Sequence, residues 1–134
     1  MFEDEYGKHN LWGEPKVKTW SDMDKCFPNG LHNNIKIDVP FWYQKINSEK
    51  IKNSCIAALK ISKLLDLSYG GIITSKEWED ETIVKYNIEC IAGNIVCNEV
   101  RHNYGFISFR TDKMRKEFMS HKENVELIKQ FFMI

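Results

Sequence analysis

The spacing of apolar residues along the chain predicts one long helix in its middle. Across residues 48–67, apolar and small side chains recur at steps of three and four, which places them on one face of a helix. Asn47 or Ser48 can cap the first turn. Gly70 and Gly71 follow the last turn, and glycine readily takes the left-handed conformation that ends helices. We therefore predict a helix over 48–67 that packs against a sheet.

Alternation of apolar and polar residues predicts an antiparallel sheet over residues 85–110. The segments 85–92, 95–101 and 105–110 each have the composition of a strand, and their short connections favour a meander of consecutive strands. One face of the first hairpin is predicted to be the core side, and it carries Tyr86, Ile88, Cys90, Ala92, Ile95 and Cys97.

A two-residue turn at Gly93-Asn94 would place Cys90 directly opposite Cys97. Such a pair would be hydrogen-bonded, and side chains stand farther apart there than at the alternating sites. We therefore interpret the two cysteines as reduced, buried thiols. A cross-strand disulfide is the alternative.

Residues 112–132 are predicted to be helical, and two patterns give different answers to whether they form one helix or two. One apolar stripe continues at alternating steps of four and three, as a single helix would require. Ser120-x-x-Glu123, however, has the form of a capping box, which starts a new helix. Because serine is a poor residue for a helix interior, we predict a break near Ser120 and two short helices.

The first 47 residues are less regular, and they contain all three prolines and three of the four tryptophans. Residues 1–18 could form an extended arm, and residues 19–47 are predicted to be largely irregular. A short helix capped by Thr19 or Ser21 and a short strand at Ile35–Val39 are the exceptions.

These elements place the chain in the α+β class. We predict a three-stranded antiparallel meander packed against a central helix and C-terminal helices, with an irregular, aromatic-rich N-terminal segment. A length of 134 residues is most simply one domain, 1–134. No run approaches the roughly 18 apolar residues of a membrane helix, so we expect no membrane partner. The acidic start lacks the pattern of a secretory signal, so we do not expect export by that route.

Positive and negative residues are equal at 19 each, so no net charge draws the chain to nucleic acid. A local nucleic-acid site near the C-terminal strands is still an alternative hypothesis, because aromatic rings stack on bases and cations bind phosphates. Its members are Tyr104, Phe106, Phe109, Arg101, Arg110, Lys113, Arg115 and Lys116. The interspersed Asp112 and Glu117 argue against it.

Motifs for catalysis and metal binding are mostly missing from the sequence. The four cysteines form no Cys-x-x-Cys pair and lack suitably spaced histidines, so we predict no structural metal. Without a phosphate loop or nucleophile elbow, we also predict no cofactor and no enzymatic activity. Cys97 with His102 is the one nucleophilic pair that we consider. The acidic segment 77–81 around Trp78 is interpreted as a solvated loop, with acid–base catalysis or divalent-ion binding as the alternatives.

Several segments carry a resemblance to known sequences. They are Thr19-Trp20, Ala57-Ala-Leu-Lys-Ile-Ser-Lys-Leu-Leu65, the Trp78 loop with Lys85-Tyr86-x-Ile88, and Phe106-x-Ser-Phe-Arg-Thr-Asp-x-x-Arg-x-Glu-Phe118 with Glu126-Leu-Ile128. Through them the chain resembles small uncharacterised proteins of phages and mobile elements of gut anaerobic bacteria. The likeness covers residues 19–132 and is strongest over 85–128. Such proteins often have a Trp-x-x-x-Trp pair before the sheet, of which this chain has only Trp78.

The resemblance implies a phage or mobile-element origin, in the host cytoplasm or the virion, and it transfers no reaction and no catalytic residues. We therefore hypothesise a non-catalytic protein that binds other proteins, as a small virion component or a host-directed inhibitor. Its partner would be a phage virion protein or a host protein. Trp12, Trp20, Phe41 and Trp42 are the predicted contact residues, because aromatic side chains are favoured at interfaces. A nucleic-acid-binding accessory protein is the first alternative, and a small cysteine-dependent enzyme is the second.

Overall fold

A computed structural model describes residues 17–27, 30, 33 and 48–134. They form helices and a three-stranded antiparallel sheet, which is the predicted α+β class. The helices are α1 (Trp20–Cys26), α2 (Ser48–Ser68), α3 (Ser75–Glu79), α4 (Asp112–Ser120) and α5 (Lys122–Phe132), and the strands are β1 (Lys85–Ile91), β2 (Asn94–Val100) and β3 (Ile107–Phe109). The predicted strand Ile35–Val39, most of the predicted arm, and the candidate contacts Trp12, Phe41 and Trp42 lie outside the described residues. Over the described ranges, no helix has the length and hydropathy needed to span a membrane.

The central helix, α2, forms where the sequence predicts it and supplies one wall of the core. Ala57, Ile61 and Leu64 on its inward face are completely buried. The opposite wall comes from the sheet and from α4 and α5. The helix is followed by two glycines with positive φ, Gly70 at 84° and Gly71 at 79°, as the sequence predicts.

Helix α1 is the short helix predicted from Thr19, and it is fastened to the last helix. Thr19 begins it with a capping box. The carboxylate of Glu123 in α5 accepts hydrogen bonds from the backbone N–H of Ser21 at 2.8 Å and from its hydroxyl at 2.9 Å. Asn124 Nδ2 donates to Lys18 O at 3.0 Å. The position of α1 therefore depends on α5.

The strand order in the sheet is β2-β1-β3, so the predicted meander is wrong about the central strand. Both neighbours run antiparallel to β1. Residues 101–106 carry the chain from β2 across β1 to its far edge. There Ile107 and Phe109 pair with Ile88 and Tyr86, and each of the two β3 residues is 1% exposed. This order gives the apolar strand β3 a place against α4 in the core, which a position beside the more exposed β2 would not provide.

The β1–β2 hairpin turns at Ala92-Gly93 and not, as predicted, at Gly93-Asn94. Ala92 has a φ of 51° and Gly93 a φ of 79°. A two-residue turn with positive φ at both central residues matches the right-handed twist of the flanking strands. Glycine occupies the second of these positions. The sequence alone did not show whether Gly93 would be the first or the second central residue of the turn.

The corrected turn separates the two cysteines of the hairpin. Cys90 lies opposite Ile95, and Cys97 lies opposite Ile88. Cys90 and Cys97 are free thiols, and Cys97 is exposed, so neither the disulfide nor the pair of buried thiols is found. The register shift is even, so these side chains remain on the face that was predicted to be the core side.

The C-terminal helical region is divided into two helices as predicted, but the predicted capping box is not the cause. His121, with φ −93° and ψ 117°, separates α4 from α5. The predicted capping box between Ser120 and Glu123 does not form. Ser120 Oγ instead donates to Glu117 O at 2.6 Å. The Glu123 carboxylate instead accepts hydrogen bonds from Ser21, a partner distant in sequence that a local motif does not reveal.

Candidate functional site

The segment 101–106 packs across one face of β1 and closes part of it off from solvent. Lys85 is fully buried beneath it. Its Nζ donates to Asp80 O at 2.8 Å and to Arg101 O, and it lies 5.6 Å from the ring centroid of Trp78. A buried ammonium group requires partners of this kind. These hydrogen bonds tie the loop before β1 and the segment after β2 to β1.

Asn87 is the second fully buried polar residue beneath this segment. Its Oδ1 accepts a hydrogen bond from Ser108 Oγ at 2.6 Å, and its Nδ2 donates to Glu89 Oε1 at 2.8 Å. The backbone of Gly105 lies directly over the side chain, since a Cβ at position 105 would be 2.1 Å from Asn87 Oδ1. This contact fixes the path of the chain on both sides of Gly105.

The residues on either side of Gly105 are aromatic and remain accessible. Tyr104 is 72% exposed, and its ring centroid lies 5.3 Å from that of Trp78. Phe106 is 40% exposed and stacks on Phe131 of α5, with centroids 5.0 Å apart and planes 25° apart. Phe131 in turn contacts Phe132 at 4.9 Å. The crossing segment and the end of α5 thus present their rings side by side.

These rings border an open groove of about 360 Å³, which we call the aromatic groove. Strand β1 forms its floor. Because β3 pairs only with residues 86–88, the β3-side edge of β1 at Cys90 has no strand partner among the described residues. The lining residues are Ile88, Glu89, Cys90, Tyr104, Gly105, Phe106, Ile107, Phe131 and Phe132.

Arg110 holds the loop beside the groove in place. Its Nε and Nη2 donate to the two carboxylate oxygens of Glu77 at 2.9 and 2.7 Å, and the guanidinium also donates to the carbonyls of residues 70–72. The predicted solvated loop around Trp78 is therefore partly wrong: residues Ser75–Glu79 form α3, and Thr74 with Glu77 caps it. The hydrogen bonds from Arg110, followed by the backbone N–H of Thr74, lower the pKa of Glu77 to about 2 from its usual 4.5.

We expect the Arg110→Met substitution to lower the free energy of unfolding by about 1–2 kcal/mol near neutral pH, because a bidentate ion pair and several carbonyl hydrogen bonds are lost. The depressed pKa of Glu77 makes its contribution fully present above pH 4.5 and lost as the pH falls towards 2. Chemical denaturation at pH 7, 4 and 3 measures this, and the difference between wild type and variant should shrink as the pH falls. A difference that is constant across this range would contradict the assignment.

Arg115, a member of the predicted nucleic-acid site, is buried within the protein. Its side chain is 8% exposed. The guanidinium donates to Asn87 O at 3.2 Å and Asn98 O at 2.9 Å, and it contacts the carboxylates of Glu99 at 3.3 Å and Asp112 at 2.8 Å. With Arg110 bound to Glu77 as well, two of the predicted phosphate-binding cations are used inside the fold.

The remaining members of that site are spread over different surfaces or buried. Phe109 is a core residue. Arg101 Nη1 donates to Glu81 O at 3.1 Å. Lys113 and Lys116 are exposed on α4, where Lys116 Nζ lies 3.1 Å from Asp112 Oδ2. Of the predicted set, the aromatic groove brings together only Tyr104 and Phe106. Nucleic-acid binding stays a prediction.

The predicted contact residue Trp20 is part of the core. It is 5% exposed, its Nε1 donates to Asn33 Oδ1 at 2.8 Å, and Lys60 Nζ lies 5.3 Å from its ring. This placement removes Trp20 from the candidate contact residues. Sequence reasoning did not propose Phe131 and Phe132 as contacts, although adjacent aromatics at the end of an amphipathic helix were a usable signal.

The groups considered for chemistry are not assembled into a metal site. Among the described residues, no group of three or more His, Cys, Asp or Glu side chains could hold a metal ion. Cys97 lies on β2 opposite Ile88, and His102 Nδ1 lies 3.8 Å from Glu81 Oε1.

Comparisons with known proteins find no match to this chain: no family model, no curated protein and no solved structure matches it. The aromatic groove is therefore interpreted from its own geometry.

Proposed function

We propose that this chain is a non-catalytic protein of a phage or mobile element that binds another protein through the aromatic groove. The observation that carries the proposal is the groove itself, about 360 Å³ in volume and bordered by the partly exposed rings of Tyr104 and Phe106. Aromatic side chains are enriched in protein interfaces because they bury a large area at a small cost in conformational entropy. The partner is a virion protein or a host protein.

The floor of the groove favours an extended segment of the partner. Strand β3 begins opposite Ile88, so it does not cover the edge of β1 at Cys90. A partner segment placed in line with β3 would meet β1 at that edge. Backbone hydrogen bonds to that edge would provide affinity, and alternate side chains of the segment would enter the aromatic groove. A large apolar side chain suits a groove lined by Phe106, Phe131 and Phe132.

The charge of the groove also favours an apolar segment. Glu89 is the one carboxylate among its lining residues. Both of its oxygens are already bonded, to Asn87 Nδ2 at 2.8 Å and to Asn98 Nδ2 at 3.1 Å. The carboxylate therefore needs no cation from the partner, and apolar contact adds to the affinity that the backbone hydrogen bonds would provide.

A displayed library of random peptides tests the proposal, followed by titration of the selected peptides in solution. We expect Tyr104→Ala and Phe106→Ala each to weaken binding at least tenfold, as truncation of a central aromatic contact does. Leu59→Ala is the matched control, because Leu59 is 44% exposed on α2 and lies outside the aromatic groove. Its affinity should equal that of the wild type.

Selected peptides that bind all four proteins equally would contradict the groove as the site. A library that yields no binder would contradict the proposal of an extended partner segment. Thermal unfolding of each variant, measured alongside, separates lost contacts from lost folding, since Phe106 also stacks on Phe131.

A further inference from the structure

The outer edge of β2 lies on the opposite side of β1 from the aromatic groove. Strand β2 has seven residues, pairs with β1 in a continuous register without a bulge, and has no second strand partner among the described residues. Proteins usually protect such an edge with lysine, proline, a bulge or a very short strand. β2 has none of these, and its one charged residue, Glu99, is paired with Arg115 at 3.3 Å. The edge is therefore suited to accept another strand.

The hairpin register shows which backbone groups face outward. The pair that closes a two-residue turn, Ile91 with Asn94, exchanges both hydrogen bonds, and such pairs alternate with non-bonded ones. Even-numbered residues of β2 therefore turn their N–H and C=O groups towards β1. Ile95, Cys97 and Glu99 turn theirs to the open edge.

We propose that two copies of this chain pair through β2 in antiparallel orientation, with a two-fold axis at Cys97. Cys97 is the middle residue of Asn94–Val100, so this register overlaps the whole strand. Ile95 of one copy meets Glu99 of the other, and Cys97 meets Cys97, so each outward-facing residue meets an outward-facing residue. The two three-stranded sheets become one continuous sheet.

The overlap of the strands selects this register over the other symmetric ones, because an axis at Val96 or Asn98 would leave two residues of β2 unpaired. An axis at Glu99 would place two carboxylates directly opposite each other, which is destabilising, and would overlap only the end of the strand. An axis at Ile95 would overlap only its beginning. With the axis at Cys97, the two Glu99 side chains lie at opposite ends of the ladder, and the exposed thiols meet at its centre.

Sedimentation velocity over a range of concentrations up to about 1 mM, which covers the affinities of small interfaces, tests the proposal. We expect the wild type to shift from monomer to dimer. Cys97→Lys and Cys97→Glu should each weaken dimerisation about 100-fold, because like charges then face each other across the axis. An equimolar mixture of the two variants should dimerise again, as opposite charges meet. Cys97 is exposed, so these changes leave the core intact, and Cys97→Ser is the control that should behave as the wild type.

A wild type that stays monomeric at all concentrations overturns the proposal. A dimer that survives both charged substitutions, or a mixture that remains monomeric, overturns the placement of Cys97 on the axis. Peptide binding in the aromatic groove should be unchanged in Cys97→Lys, so failure of the dimer and failure of the groove are distinguishable.

Discussion

Replacing Phe118 with alanine is expected to lower the free energy of unfolding by about 3–5 kcal/mol, the range for a fully buried phenylalanine. Phe118 is completely buried, and it is the ring on which the helices and the sheet converge. Its centroid lies 5.2 Å from that of Tyr69 after α2 and 5.4 Å from that of Phe109 in β3. Alanine would leave a cavity between these rings and remove their edge contacts. Denaturant unfolding followed by circular dichroism measures the loss.

A conservative variant keeps this prediction testable if the alanine variant does not fold. Phe118→Leu fills most of the space and should cost less than half as much, with an unchanged dependence of unfolding on denaturant. A loss below about 1 kcal/mol in Phe118→Ala would contradict the central position of this ring.

Gly105→Ala is expected to lower the free energy of unfolding by about 3 kcal/mol, at the upper end of what overpacking costs. The added methyl group would lie 2.1 Å from Asn87 Oδ1, and that side chain is held by Ser108 and Glu89. Either these hydrogen bonds break or the crossing segment lifts from β1. The second outcome also moves Tyr104, so we expect peptide affinity in the aromatic groove to fall together with stability.

A double-mutant cycle with Asn87→Ala separates the clash from other effects of the substitution. The shorter side chain at position 87 makes room for the methyl group. Gly105→Ala should therefore cost much less in the Asn87→Ala background than in the wild type. Equal costs in both backgrounds would show that this contact is not what requires glycine at position 105.

The helices could be predicted from the sequence because their signals are local. The apolar spacing and the paired glycines defined α2 to within a residue, and Thr19 marked the start of α1. The break between α4 and α5 was also correctly located. Its supposed cause was wrong because Glu123 binds Ser21, which lies 102 positions earlier in the chain. A side chain in a capping motif can bind a distant partner in place of the helix end, and the sequence does not show which partner it will bind.

The strand order and the hairpin turn depend on interactions that a strand pattern does not encode. Both Ala92-Gly93 and Gly93-Asn94 can make a two-residue turn, and only packing decides between them. The meander failed because residues 101–106 cross β1, where Lys85 and Asn87 provide buried partners. Two polar residues on a strand were compatible with a solvent-facing side, and their complete burial could not be foreseen.

The predicted binding residues met the same difficulty. Arg110 and Arg115 look like free cations in the sequence, yet the fold uses both in internal hydrogen bonds. Trp20 looks like a contact and is buried. Tyr104 and Phe106 were predicted as members of a nucleic-acid site, but their neighbour Phe131 comes from a helix that is distant in sequence.

The attachment of α1 to α5 has a consequence for synthesis of the chain. The hydrogen bonds that seat α1 come from Glu123 and Asn124, and these residues leave the ribosome about a hundred residues after Ser21 does. At elongation rates of about 5–20 residues per second, about 5–20 seconds pass between the synthesis of α1 and that of its docking surface. The buried side of Trp20 remains available to chaperones during that interval.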